Sequence, residues 1–166
     1  MEDQANININ SGLPDFLLLD DITQAEEKTI AGTRKFSAAP PWLGIEALAQ
    51  LGSFHVRQIT GFHKHAFLLK MNRFVLPPSE TLEGCYLLAG TLVSRSGAAF
   101  AYELQARKGK MLEFSGNFLY ATVDYNDTFT ETRLRNHYLG IFRCLQNATG
   151  IGSGGGKRQV SSAPLL

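Results

Sequence analysis

Strand-like and helix-like stretches alternate along this chain. Two segments rich in apolar and β-branched residues, 16–23 and 29–36, flank the polar run Glu26-Glu27-Lys28 and predict a hairpin. Four more strand-like segments follow in the second half of the chain: 66–76, 82–94, 98–107 and 111–123. Turn signals, such as the Pro77-Pro78 pair, separate them, so we expect these four strands to be consecutive antiparallel neighbours.

One long helix is predicted between the two groups of strands. Pro40-Pro41 is incompatible with a strand interior but suits the first turn of a helix, and Gly61 is a stop signal. At about 100° per residue the segment has a wide apolar side and a narrow polar stripe, so the helix is predicted to be mostly buried. The apolar side includes Leu48, Leu51, His55 and Ile59, and the polar stripe is Glu46, Gln50, Ser53 and Arg57.

A second helix is predicted from about residue 130 to 148. Thr128 and Glu131 have the spacing of a capping box, and apolar residues recur at helical intervals up to Leu145. The basic Arg133, Arg135 and Arg143 are expected to face outward. Long strands around one buried helix indicate an α+β fold, with the sheet wrapped around a central helix and an extra helix at the C-terminal end.

Length and composition indicate one domain. The chain has 166 residues, of which 44% are hydrophobic, and this suits a single ordinary core. Residues 1–12 are mostly polar and residues 149–166 contain Gly152-Ser153-Gly154-Gly155-Gly156, so both ends are expected to be flexible. The folded domain is therefore predicted to span 13–148.

Charge and cysteine content exclude several classes of protein. Sixteen Lys and Arg against fifteen Asp and Glu leave a net charge of +1, so neither nucleic acid nor a membrane surface is an expected partner. No apolar run reaches the roughly 18 to 20 residues that span a bilayer. Cys85 and Cys144 lack metal-ligand spacing and the first residues are acidic, so we expect a reduced, cytoplasmic protein without a metal or another cofactor.

Three short segments carry a family resemblance. They are Leu13-Pro14 with Phe16-Leu17-Leu18-Leu19-Asp20, then Glu46-Ala47-Leu48-Ala49-Gln50, and then Arg73-Phe74 with Val75-Leu76-Pro77-Pro78 and Glu80. In this order they resemble the β-hydroxyacyl-acyl carrier protein dehydratases of fatty acid synthesis, a hotdog-fold family. The resemblance implies a hotdog fold, an acyl-pantetheine or acyl carrier protein substrate, and a homodimer in which two sheets become continuous.

The resemblance also implies a catalytic carboxylate on the long helix. Dehydration of a 3-hydroxyacyl thioester needs a base, an acid and donors that polarise the thioester carbonyl. By motif match the carboxylate is Glu46. Gln50 lies one helical turn later on the same face, where it can hydrogen-bond a water or the thioester. An ordinary solvent-facing ridge would have the same pattern, so both interpretations of Glu46 stay open.

Two features of the dehydratases are missing. Their histidine lies in a Gly-His-Phe-Pro-Gly loop before the helix, whereas here Phe36-Ser37-Ala38-Ala39-Pro40-Pro41 runs almost straight into it. Their glycine after the helix-start proline is replaced by Pro41, which has no N–H. The backbone amides of Trp42 and Leu43 are then the candidate donors to a substrate carbonyl.

The four histidines offer no obvious replacement. His55 lies nine positions after Glu46, about 180° around the helix, and is predicted to be a hydrogen-bonded core residue. His63 and His65 either line one side of a strand, at a metal site or a subunit boundary, or are exposed in a polar turn, which we favour. His137 is expected to be solvated or to face a partner.

Three functions remain open on sequence grounds. The first is a dehydratase-like lyase with a rearranged acid–base group. The second is a thioesterase in which Glu46 activates water, which tolerates the missing histidine better. The third is a non-catalytic protein that binds an acyl chain, an acyl carrier protein or another subunit. A hotdog-like domain with no acyl ligand is a separate and simpler interpretation.

Overall fold

The structure, a computed structural model, describes residues 16–148. It contains six strands and two helices: β1 (Asp21–Ala25), β2 (Thr29–Ala39), α1 (Pro41–Ile59), β3 (Lys64–Val75), β4 (Leu82–Ser96), β5 (Ala99–Lys108), β6 (Met111–Asp124) and α2 (Glu131–Asn147). The predicted flexible ends, 1–12 and 149–166, and the Leu13-Pro14 pair lie outside the described residues. No helix among residues 16–148 is long and apolar enough to cross a bilayer.

All six strands form one antiparallel sheet in the order β1-β2-β4-β5-β6-β3. The prediction of consecutive neighbours is confirmed for β4, β5 and β6 but is wrong for β3, which pairs with β6. The reason is that β2 already occupies the side of β4 that faces away from β5. As a result β3 lies at one edge of the sheet.

Helix α1 packs against one face of this sheet, as its apolar side predicts. Leu48 and Leu51 are completely buried, and they belong to the same core as Phe100, Tyr102 and Tyr120 from the strands. Two glycines let the helix approach closely, because a Cβ at Gly44 would lie 2.6 Å from Phe114 Cζ and one at Gly52 would lie 2.7 Å from Tyr120 Cζ.

The chain before β1 departs from the predicted strand. Residues 16–19 form no strand in the structure, although Leu18 and Leu19 are buried. The N–H of Leu18 donates instead to Oε1 of Gln50, at 2.8 Å. This segment is therefore bound by a side chain of α1 rather than by a neighbouring strand.

Helix α2 covers the C-terminal half of α1. Its buried residues are Phe142 and Leu145, and the Phe142 ring lies 6.2 Å from that of Phe54 and 5.4 Å from that of Phe62. The prediction of a capping box at Thr128 and Glu131 is wrong. The N-cap is Thr130, and its side chain makes no capping hydrogen bond.

Candidate functional site

Glu46 lies in the second turn of α1 and is half-buried. Its Oε1 is 3.4 Å from Nε2 of Gln50, so the two side chains share a face as the spacing predicts. Tyr120 lies nearby on β6 and donates its hydroxyl to the carbonyl of Ala49, at 2.9 Å. Burial raises the pKa of the Tyr120 phenol, and the negative charge of Glu46 contributes to that rise.

Gln50 is engaged by the chain's own backbone. Its Nε2 donates to the carbonyl of Phe16 at 2.8 Å, and its Oε1 accepts the N–H of Leu18 at 2.8 Å. The remaining amide hydrogen is directed at Glu46. The role of Gln50 at a substrate stays a prediction, and contact with a thioester would require the 16–18 segment to move.

The backbone N–H groups at the start of α1 are the candidate donors to a substrate. Pro41 has no N–H, and the N–H of Leu43 donates to the carbonyl of Pro40 at 3.0 Å. In the described part of the chain the N–H of Trp42 has no acceptor, and the Trp42 side chain is 55% exposed. Of the two amides expected to bind a substrate carbonyl, only that of Trp42 is available.

The connection from β2 to α1 is short and fixed. Ala38 has a φ of +46°, in the left-handed region, and its N–H donates to Oε2 of Glu83 at 2.6 Å. Pro40 then caps the helix in an extended conformation. The chain therefore enters α1 directly, where the dehydratases are expected to have a histidine loop.

His55 is the hydrogen-bonded core residue that the sequence predicts. It is completely buried, with Nε2 2.6 Å from the carbonyl of Glu26 and Nδ1 2.8 Å from the hydroxyl of Tyr102. A neutral ring satisfies both contacts if Nε2 donates and Nδ1 accepts. Burial lowers the pKa of His55 and raises that of Tyr102, so neither group is placed to exchange protons with a ligand.

The other histidines lie in different surroundings. His63 is exposed, whereas His65 is half-buried and stacks on Phe129 with 4.6 Å between ring centroids, so the expectation that both are exposed is wrong for His65. His137 is half-buried against Tyr138. Within residues 16–148, no group of three or more His, Cys, Asp or Glu residues is placed to hold a metal ion.

Arg57 is the residue that sequence reasoning misplaced. The sequence places it on the polar stripe of α1, for which a solvent-facing ridge is one interpretation, yet it is 4% exposed because α2 lies over it. Its guanidinium donates to the carbonyl of Ala66 at 2.6 Å and to Oγ of Ser53 at 2.8 Å, and lies 3.9 Å from the ring centroid of Tyr138. This cation therefore ties α1, β3 and α2 together.

Stability should fall on mild acidification. Burial lowers the pKa of His55, His65 and His137, and the charge of Arg57 lowers it further for the last two. The unfolded chain takes up these protons near pH 6.5, so stability is full above that pH and decreases as the pH falls below it. Urea unfolding at pH 7.5 and pH 5 measures the difference. Equal midpoints would contradict this prediction.

Three solved structures share the architecture at low sequence identity. The dehydratase heterocomplex ApeI:P from Xenorhabdus doucetiae has a TM-score of 0.55 and 14% identity, covering 69% of this chain and 86% of that chain. Thioesterase HI1161 from Haemophilus influenzae has a TM-score of 0.54 and 12% identity, covering 62% and 77%. A hypothetical thioesterase from Streptococcus pneumoniae with coenzyme A has a TM-score of 0.55 and 10% identity, covering 63% and 88%.

The chain has the hotdog fold. The sequence-based prediction of this fold, with an extra C-terminal helix, is thus confirmed. No protein-family model matches the chain, and no curated protein matches it significantly in sequence. In this hotdog protein, Glu46 and the free amide of Trp42 lie one helical turn apart at the start of the central helix.

Proposed function

We propose that this hotdog protein acts on acyl thioesters of pantetheine by hydrolysis, with Glu46 activating a water molecule. The half-buried position of Glu46 at the start of α1 is the observation that carries the proposal. Structural neighbours that are named as a dehydratase and as thioesterases support the substrate class. The pantetheine is that of acyl carrier protein or of coenzyme A.

Hydrolysis suits the available groups better than dehydration does. Dehydration needs an acid for the leaving hydroxyl as well as a base, whereas thioester hydrolysis can begin with a single base and a water. His55 is buried with both ring nitrogens occupied. His65 and His137 lie near Arg57, in the part of the structure where α2 covers the other end of α1. His63 also lies at that end, just after α1. Glu46 is therefore left without a histidine partner.

The amide of Trp42 supplies the complementary group. It lies at the positive end of the α1 dipole, and Glu46 follows it by one helical turn. An amide in this position can donate to the thioester oxygen as negative charge develops on it during attack by water. The base and the oxyanion donor thus belong to the same rigid helical turns.

The test is an assay that follows free thiol and water loss separately. Saturated acyl-pantetheine, 3-hydroxyacyl-pantetheine and the corresponding unsaturated thioester are the substrates. We expect thiol release from all three and no interconversion of the hydroxyacyl and unsaturated forms. Water loss without thiol release would instead establish a dehydratase.

Binding without turnover is the second candidate function. It is favoured by the occupied polar atoms of Gln50 and by the loss of the Leu43 amide as a donor. A protein of this kind would be stabilised by acyl-pantetheine but would release no thiol. At a ligand concentration 100 times the dissociation constant, the stabilisation would be about 2.7 kcal/mol.

We further propose a cytoplasmic homodimer formed through β3. This strand pairs with β6 on one side only, and Leu69, Met71 and Val75 on it are 55%, 41% and 56% exposed. A long edge strand with exposed apolar residues is a template for pairing with a second copy. The exposed free thiols of Cys85 and Cys144 suit a reducing compartment.

Charged residues on β3 should dissociate this dimer. We expect the double variant Leu69→Lys and Met71→Lys to elute as a monomer, because like charges would face each other across the symmetric edge. Size-exclusion chromatography with light scattering measures the mass. Val93→Lys is the matched control, since Val93 is 58% exposed on β4, away from this edge. A monomeric wild type would rule the dimer out.

A further inference from the structure

The side-chain amide of Gln50 uses both of its polar atoms on the main chain before β1. Its Nε2 donates to the carbonyl of Phe16 at 2.8 Å, and its Oε1 accepts the N–H of Leu18 at 2.8 Å. These two backbone groups lie on either side of Leu17. We call residues 16–18 the strap.

The strap precedes the point at which the chain is fixed to the sheet. Sheet pairing begins at Asp20, whose N–H donates to the carbonyl of Thr33 at 2.9 Å. The Asp20 carboxylate also pairs with Arg34 at 2.9 Å and accepts the N–H of Lys35 at 2.6 Å. Residues from Asp20 onward can therefore stay in place when the strap moves.

Within the strap, exposure rises toward its first residue. Leu18 is 3% exposed, Leu17 is half-buried and Phe16 is 40% exposed. Among residues 16–148, the main chain of the strap has no hydrogen-bond partner other than Gln50. The peptide groups on either side of Leu17 can therefore leave Gln50 while the Leu18 side chain stays in the core.

Gln50 also joins the strap to the candidate base. Oε1 of Glu46 lies 3.4 Å from the same Nε2 that donates to Phe16. One helical turn, a rise of about 6 Å, separates Glu46 from Gln50 along α1. A thioester whose carbonyl reaches the Trp42 amide thus has Gln50 beyond Glu46, on the side where the thiol arm of the substrate can lie.

Pantetheine presents the same chemical groups as the strap. It has an amide on each side of an ethylene group, so a carbonyl and an N–H of neighbouring amides stand a few bonds apart, as they do in the strap. Another ethylene group separates the sulfur from the nearer amide. A sulfur beside Glu46 can therefore bring this amide level with Gln50, whose side chain both donates and accepts.

We propose that Gln50 recognises the amides of pantetheine and that the strap is a stand-in which the substrate displaces. This inference rests on the proposed function, because it states how the pantetheine arm of that substrate is bound. The exchange conserves hydrogen bonds: Nε2 passes from the Phe16 carbonyl to a pantetheine carbonyl, and Oε1 passes from the Leu18 N–H to a pantetheine N–H. A ligand without amides leaves Gln50 unpaired and is disfavoured.

The first test observes the strap directly and needs no turnover. The probe is the S-propyl thioether of pantetheine, which cannot be hydrolysed. At saturation we expect faster hydrogen exchange of the Leu18 N–H in the full chain, because this N–H loses its acceptor. Unchanged or slower exchange at Leu18 would overturn the proposal and leave Gln50 as a structural clamp, and so would failure of the thioether to bind.

The second test compares this thioether with its ester analogue, in which oxygen replaces both N–H groups. The native chain should bind the amide compound about tenfold more tightly, because the ester leaves Oε1 of Gln50 without a donor. Gln50→Leu should bind both compounds equally. Gln58→Leu is the matched control, since Gln58 is half-buried further along the same helix, and it should keep the native preference. A preference that survives in Gln50→Leu would contradict the proposal.

These results are separable from those for hydrolysis. The exchange measurement uses the native chain, so it does not depend on the folding of a variant. Displacement of the strap without thiol release from any acyl-pantetheine would support recognition by Gln50 and reject hydrolysis by Glu46. Thiol release with a strap that stays protected at saturation would do the reverse.

Discussion

Replacement of Glu46 by Gln is expected to lower the rate of thiol release from acyl-pantetheine by about 10²- to 10⁴-fold. Glutamine has the same shape and can keep the contact with Gln50, which is 3.4 Å long in the native protein. It cannot accept a proton from water. The loss should therefore appear in kcat, measured by thiol release at saturating substrate, with little change in KM.

A second carboxylate provides the control for this experiment. Glu103 is exposed on β5, on the face of the sheet opposite α1, so Glu103→Gln should retain the native rate. Both variants should show the same unfolding midpoint as the native protein. A native rate in Glu46→Gln would show that this carboxylate is not the base.

Gly52→Ala should be strongly destabilising although alanine favours helices. The new Cβ would lie 2.7 Å from Cζ of Tyr120, and this ring is completely buried and cannot turn aside. Either the helix or the ring must shift, which also strains the hydrogen bond from Tyr120 to the carbonyl of Ala49. Overpacking of this kind costs about 1–3 kcal/mol of unfolding free energy, which denaturant titration can measure.

Gly140→Ala is the matched substitution in the other helix. Gly140 is exposed on α2, and a Cβ there would meet no atom within 4 Å. Helix propensity alone should then stabilise the protein by about 0.5–1 kcal/mol. If the unfolding free energy falls in Gly52→Ala and rises in Gly140→Ala, the close contact of α1 with β6 is confirmed. A change of the same sign in both variants would contradict it.

Local signals in the sequence were sufficient to predict most of the helices and strands. The Pro40-Pro41 pair and Gly61 place the ends of α1 almost where the structure has them, because each acts on the backbone directly. The pairing of β3 could not be predicted in the same way. It depends on whether β2 or β3 pairs with the side of β4 that faces away from β5. No residue of β3 itself determines which of these two strands pairs there.

In the candidate site, too, the features that depend on local sequence could be predicted, and those that depend on contacts with distant segments could not. The burial of His55 follows from its place on the apolar side of α1, and the structure confirms it. Arg57 lies on the polar stripe but is buried by α2, a helix far along the chain. Likewise, Gln50 binds the segment 16–18, which the sequence assigns to a strand. Helical periodicity gives the direction of a side chain but not what covers it.

The position of β3 has a consequence for how the chain folds. Lys64 at its start lies opposite Asp124, 60 residues further along the chain, so β3 cannot be paired before β6 has been made. At 5–20 residues per second, synthesis leaves β3 unpaired for about 3–12 s. Leu69 and Met71 are open to other chains during that interval, so the yield of folded protein should depend on how fast the β4–β5–β6 meander forms.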